Sequence, residues 1–112
     1  MRIEIQKFGG TSVAESKTRE MAVRKIINAR KSGFQSVVVV SAMGRRGDPY
    51  ATDTLIDFIR NIYRDVHPRE MDLLMSVGEL LSSVVTANTL QGKGYDAVAV
   101  TGRQAGILTD EN

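Results

Sequence analysis

Lys7-Phe8-Gly9-Gly10-Thr11-Ser12 is the stretch on which the reading of this chain turns. Behind it lies Arg2-Ile3-Glu4-Ile5-Gln6-Lys7-Phe8, whose apolar residues alternate with the period of a strand. Ahead of it lies Ser12-Val13-Ala14-Glu15, a capping-box pattern that predicts the start of a helix. The stretch is therefore the joint between a strand and a helix. Backbone N–H groups point outward unpaired at such a joint, and the helix dipole favours an anion. Gly9 and Gly10 let a phosphate come close to the backbone. Lys7 adds a mobile point charge from the end of the strand. One cation, two glycines and two hydroxyls at this place point to phosphate chemistry.

From the joint outward, the pattern predicts a helix to about Lys31, with Ala22, Val23, Ile26, Ile27 and the aliphatic stem of Arg30 on its inner face. Gly33 stops it in the C′ position. Residues 36–41, Ser-Val-Val-Val-Val-Ser, predict a second strand, and consecutive valines suit one covered on both faces, as in a parallel sheet. Residues 42–52 read as a loop. Helices are predicted over about Asp53–Tyr63 and Arg69–Gln91, separated by the His67-Pro68 break and closed by Gly92 and Gly94. Tyr95-Asp96-Ala97-Val98-Ala99-Val100-Thr101 predicts a third strand. This order is that of a doubly wound α/β domain, a mainly parallel sheet with helices on both faces. Thr101-Gly102-Arg103-Gln104-Ala105-Gly106 should lead to another element, and three strands make a small sheet for two helical layers. The expectation is a piece of a larger domain.

The predicted long helix carries Asp72, Ser76, Glu79, Ser83 and Thr86 on one face, with Leu73, Leu74, Met75, Val77, Leu80, Leu81, Val84 and Val85 on the others. The helix is expected to be mostly buried, with Met71 and Met75 filling the core. The polar stripe reads either as a solvated face or as a recognition surface. A single carboxylate among hydroxyls suits a cationic substrate group. After the valine strand, Ser41-Ala42-Met43-Gly44 opens at a strand carboxyl end, where open α/β sheets bind ligands. Ser41, Thr52 and Thr54 can supply hydroxyls there, or Thr52 and Asp53 can serve only as helix caps.

Composition narrows the class. The chain has 112 residues, 42% apolar and 25% charged, with a formal net charge of +2, no cysteine and few aromatic residues. That is an ordinary globular composition at a length sufficient for one domain, with no disulfide or Cys-based metal site. Its charges are interspersed, so no nucleic-acid stripe exists, and Arg45-Arg46 reads as a solvated loop. The longest unbroken apolar run, Val37–Val40, is far below the roughly 20 residues of a membrane span. A strand from residue 2 leaves no room for a leader. The expected location is the cytoplasm. Gly92-Lys93-Gly94-Tyr95-Asp96-Ala97 fits G-x-G-x-x-A but lies between helix and strand, the reverse of the dinucleotide-binding context. No Walker-type G-x-x-x-x-G-K-[ST] occurs, and His67 stands alone before a proline.

Taken together, Lys7-Phe8-Gly9-Gly10-Thr11-Ser12-Val13, the valine strand through Gly44, Thr52-Asp53, Ser76-Val77-Gly78-Glu79-Leu80-Leu81-Ser82 and Thr101–Gly106 resemble aspartate kinases of the amino acid kinase superfamily, block by block and in the same order. The resemblance implies the N-terminal part of that catalytic domain over residues 1–112, with the rest of the domain and the regulatory ACT domains outside this chain. It implies transfer of the ATP γ-phosphoryl group, with Mg²⁺ carried on ATP, to the side-chain carboxylate of L-aspartate, the first step toward lysine, threonine and methionine. Lys7 then contacts the transferring phosphate, and Phe8, Gly9 and Gly10 belong to the phosphate-binding backbone. Ser41 and Thr52 line the aspartate site, Glu79 meets the substrate α-ammonium, and no protein metal ligand is implied. A homo-oligomer is implied for the full-length protein. The loop from Arg45 to Ala51 is longer than in many relatives, which leaves Thr52 and Thr54 both open as the ligand. The alternatives are a superfamily member acting on glutamate, a carbamate or a nucleotide, or a non-catalytic segment that binds an anion or a partner. The segment alone is expected to be inactive.

Overall fold

A computed structural model describes residues 2–44 and 47–101, apart from the side chain of Thr11. The predicted features at Arg45-Arg46 and from Gly102 onward lie outside the described residues. Two strands, β1 (Arg2–Phe8) and β2 (Phe34–Val40), pair in parallel, with Ile5 beside Val37, Lys7 beside Val39 and Phe8 beside Val40. Parallel pairing requires a crossover, supplied by α1 (Gly10–Ala14) and α2 (Ser16–Lys31). After β2 come α3 (Thr52–Ile62) and α4 (Pro68–Gly92).

The first crossover differs from the expected single helix. Glu15 is extended (φ −94°, ψ 140°) and divides it in two. Ser12 is not the cap; Gly9 takes the N-cap position without a side-chain bond, and the Ser12 N–H donates to the Gly9 carbonyl at 3.1 Å. Arg19 secures the break, its Nε donating to the Val13 carbonyl at 2.7 Å and its Nη2 to that of Ala14 at 2.9 Å. The carbonyls that a continuous helix would have satisfied internally are thus satisfied by one guanidinium. At the other end Gly33 has φ +92°, the left-handed conformation expected at a helix stop.

The core lies between one face of the sheet and two helices. Val23 and Ile26 of α2 and Leu90 of α4 form its centre, with Phe8, Ile27, Val38, Tyr95 and Ala97 packed against them. Ala22 and Ala29 complete the buried stripe of α2, while Arg30 is exposed. The opposite face is bare: Ile3, Ile5, Val37 and Val39 are 47–72% exposed. Valines expected to be covered on both sides are covered on one, because among the described residues the helical layer on the second face is missing.

Residues 95–101 form no strand. Tyr95 to Val100 alternate half-buried and exposed, as a strand would. They are separated from β2 by an open cleft of about 740 Å³, lined by Ile26, Val38, Val40, Leu90, Ala97 and Ala99 among others. A strand needs a ladder partner, and none of the described residues fills that cleft.

α4 also departs from expectation. Its buried residues are Gly78, Ser82, Thr86, Ala87 and Leu90. Leu73, Met75, Val77, Leu80 and Val84 are 45–69% exposed, so Met75 is not core filling. The small residues face the domain because they let α4 come close to its neighbours. Buried hydroxyls are satisfied within the helix: Ser82 donates to the Gly78 carbonyl at 3.1 Å and Thr86 to that of Ser82 at 2.8 Å. By length and apolar composition α4 is able to cross a membrane, its best window having a mean hydropathy of 1.3. Counting unbroken apolar runs missed this, because Gly78 and the hydroxyls interrupt them. In the fold α4 packs against α1, α2, α3 and β2.

Candidate active site at the carboxyl edge of the sheet

Parallel strands deliver their carboxyl ends to the same edge. β1 opens there into Gly9 and Gly10, and β2 into Ser41-Ala42-Met43-Gly44. The ladder runs on one step past β2, the Ser41 N–H donating to the Phe8 carbonyl at 3.2 Å. The phosphate-type joint and the second loop are therefore neighbours by construction.

Ala42 ties them to the helices. A Cβ built on Gly10 would collide with the carbonyl oxygen of Ala42, so only glycine fits at the first residue of α1. A Cβ built on Gly78 would lie 2.8 Å from the Ala42 Cβ and 3.0 Å from Thr52 Oγ1. The middle of α4 thus rests directly on the loop and on the first residue of α3. Val13, Met43 and Ala51 are buried around this junction, at 2–6% exposure. Gly44 turns the loop with φ +103°, and the Tyr50 ring closes over it.

Lys7 is exposed at the end of β1, and its ammonium has no partner among the described residues. Gly9 and Gly10 form the turn into α1, whose five residues contribute only a short dipole. Phe8 contributes its backbone to the edge and its ring to the core. Ser41 is half-buried beside the joint. Thr52 lies under Gly78, whereas Thr54 accepts a bond from the Gly47 N–H at 3.2 Å and is engaged in shaping the loop. Glu79, next to Gly78, is exposed, and its carboxylate has no partner among the described residues.

The polar stripe does not act as a unit. Ser76 donates to the Leu73 carbonyl at 2.6 Å and Ser83 to that of Glu79 at 3.1 Å, so their protons are spent on the helix itself. Ser41 lies beside Phe8 at the end of the ladder, Thr52 meets α4 at Gly78, and Glu79 follows Gly78 on the helix; Ser83 and Thr86 instead line the cleft by residues 95–100. Sequence reasoning missed Ala42 and Arg19. Gly78 carried a signal in being a glycine in mid-helix, a position that implies close approach. Among the described residues no group of three or more His, Asp or Glu could hold a metal ion.

A model of the Amino acid kinase family matches residues 2–112. The chain belongs to the amino acid kinase family. It is 51% identical over 111 residues to aspartokinase 1 of Bacillus subtilis, covering 99% of this chain and 28% of that protein. It is 43% identical to the aspartokinase of Geobacillus stearothermophilus, over 99% of this chain and 26% of the relative. The crystal structure of aspartate kinase from Synechocystis superimposes with a TM-score of 0.73 at 36% identity, covering 86% of this chain and 16% of that one. The amino acid kinase fold expected from the motif order is therefore present in part. The chain spans about a quarter of the curated relatives' length.

Proposed function

We propose that this chain is the N-terminal part of an aspartate kinase catalytic domain, and that the full-length protein transfers the ATP γ-phosphoryl group to the β-carboxylate of L-aspartate. A carboxylate oxygen forms a bond to the γ-phosphorus, the bond from that phosphorus to the ADP oxygen breaks, and 4-phospho-L-aspartate and ADP result. The observation that supports the reading best is the junction at Ala42, which holds the glycine joint, the Ser41 loop, Thr52 and the Glu79 segment of α4 together at one sheet edge.

Phosphoryl transfer through a loose transition state is served by positioning and charge neutralisation. Lys7 and the N–H groups at Gly9 and Gly10 hold the phosphates and offset the charge that builds on them. Glu79 binds the substrate α-ammonium, and the hydroxyls of Ser41 and Thr52 line the acceptor's place, so that its β-carboxylate faces the phosphate. Thr52 is preferred over Thr54 because its Oγ1 lies at the Gly78 contact of α4, while Thr54 Oγ1 accepts from the Gly47 N–H within the loop. Carried on ATP, Mg²⁺ would screen the phosphate charge, and no residue of this chain is assigned to hold it. The adenine pocket and a cation for the substrate α-carboxylate come from outside this chain. A cytoplasmic homo-oligomer without membrane or nucleic-acid partners fits the reading.

ATP-dependent formation of aspartyl hydroxamate by the full-length protein, with glutamate as the competing acceptor, tests it. Turnover with aspartate is expected. Turnover with glutamate alone would replace this reading with that of another family member.

A further inference from the structure

Gly78 lies in the middle of a 25-residue helix, where glycine is the poorest residue after proline. Its φ is not positive, so no backbone conformation calls for it. What calls for it is space: a methyl there would lie 2.8 Å from the Ala42 Cβ and 3.0 Å from Thr52 Oγ1. Carbon atoms in contact prefer roughly 3.5–4.0 Å. The other side of Ala42 is equally committed, its carbonyl abutting Gly10. One small residue is thus held between two glycines, one on the phosphate joint and one on the helix that carries Glu79.

We propose that Gly78 is a positioning residue whose missing side chain sets the distance between Glu79 and the Gly9–Gly10 joint, with Ala42 as the spacer. The inference rests on the kinase reading above. Neither Gly78 nor Ala42 has a side-chain group that can bind or react, so what their side-chain positions contribute is separation. Separation matters because the acceptor carboxylate must be within about 3–3.5 Å of the phosphorus, and a misplacement of ~1 Å costs on the order of 10²-fold. A methyl at position 78 moves α4 away from the loop, and the acceptor bound through Glu79 moves with it. The nucleotide, held at the β1 end, stays in place.

The test is steady-state kinetics on the full-length enzyme with each substrate varied. Gly78→Ala is expected to raise the aspartate KM by about 5-fold or more and to lower kcat, with the ATP KM within about 2-fold. Adding Ala42→Gly to that variant removes the opposing methyl, leaves only the approach to Thr52 Oγ1, and should restore part of the loss. Gly92→Ala, on the same helix but with nothing within 4 Å of its added Cβ, should change neither constant, which separates spacing from helix propensity. If Gly78→Ala does not fold, Ala42→Ser crowds the same contact from the loop side and must produce the same aspartate-selective defect. An unmoved aspartate KM in an active, folded Gly78→Ala enzyme overturns the inference and leaves the kinase reading intact. So does a loss that falls equally on ATP, or one that Ala42→Gly does not relieve. An inactive wild-type enzyme overturns the kinase reading, and this inference with it.

Discussion

Lys7 and Glu79 carry opposite charges, each without a partner among the described residues, and they divide the proposed chemistry. In the full-length enzyme Lys7→Met should lower kcat by at least ~10²-fold, as the loss of one donor aimed at a developing anion usually does. The aspartate KM should stay within a few-fold. Near-wild-type turnover would reduce Lys7 to a solvated strand-end lysine. Glu79→Gln keeps the shape and removes the charge. Loss of a charge-assisted bond worth about 1.5–3 kcal/mol should raise the aspartate KM by ~10–150-fold and leave that for ATP little altered. A melting curve run beside the kinetics separates this from a structural role, which would disturb both substrates alike. At this scale the sequence singles out Lys7 and Glu79 because neither charge has an evident local use. The hydroxyls were not legible. Ser76, Ser83 and Thr86 each find a carbonyl in their own helix, an outcome that residue type alone does not distinguish from ligand binding.

Among the elements, the α1–α2 junction depends on Arg19, which bonds two successive carbonyls across the Glu15 break. Arg19→Ala leaves both without that donor and should cost about 1–3 kcal/mol, read as a lower urea midpoint for the full-length protein. Arg19→Lys should recover only part of this, since an ammonium lacks the planar fork. An unchanged midpoint in Arg19→Ala would show that water replaces the guanidinium without loss. The capping-box pattern Ser12–Glu15 predicted a helix start within a few residues of the true one but missed the break, because the residue that stabilises it lies four positions beyond Glu15 and acts through its side chain. α4 was legible in length and position, and its orientation was not. Hydropathy places Leu73, Val77, Leu80 and Val84 inside; in the described chain the contact with Ala42 and Thr52 turns Gly78 and Ser82 inward.

For the molecule as a whole, the bare face of the sheet and the exposed side of α4 set how the isolated 112-residue chain behaves. Contiguous apolar surface of this kind drives association, and a strand with an open edge adds to it. The isolated chain should bind a hydrophobic dye and show concentration-dependent association by light scattering, and Ile5→Lys on the bare face should weaken both. A monomer that binds no dye would mean that these residues find cover within the chain. The isolated chain should also lack aspartate kinase activity; robust turnover by the purified segment would show that the catalytic unit is smaller than proposed. The alternation of β1, the β-branched run of β2, the helix stop at Gly33 and the charge-bearing joint at Lys7–Gly10 were determined by the sequence itself, because each follows from backbone sterics and periodicity within a few residues. Tertiary structure alone decided which face of α4 is inside, whether residues 95–101 become a strand, and that Ala42 packs between Gly10 and Gly78. Those outcomes depend on surfaces far apart in the chain meeting, and on whether a ladder partner is present to meet.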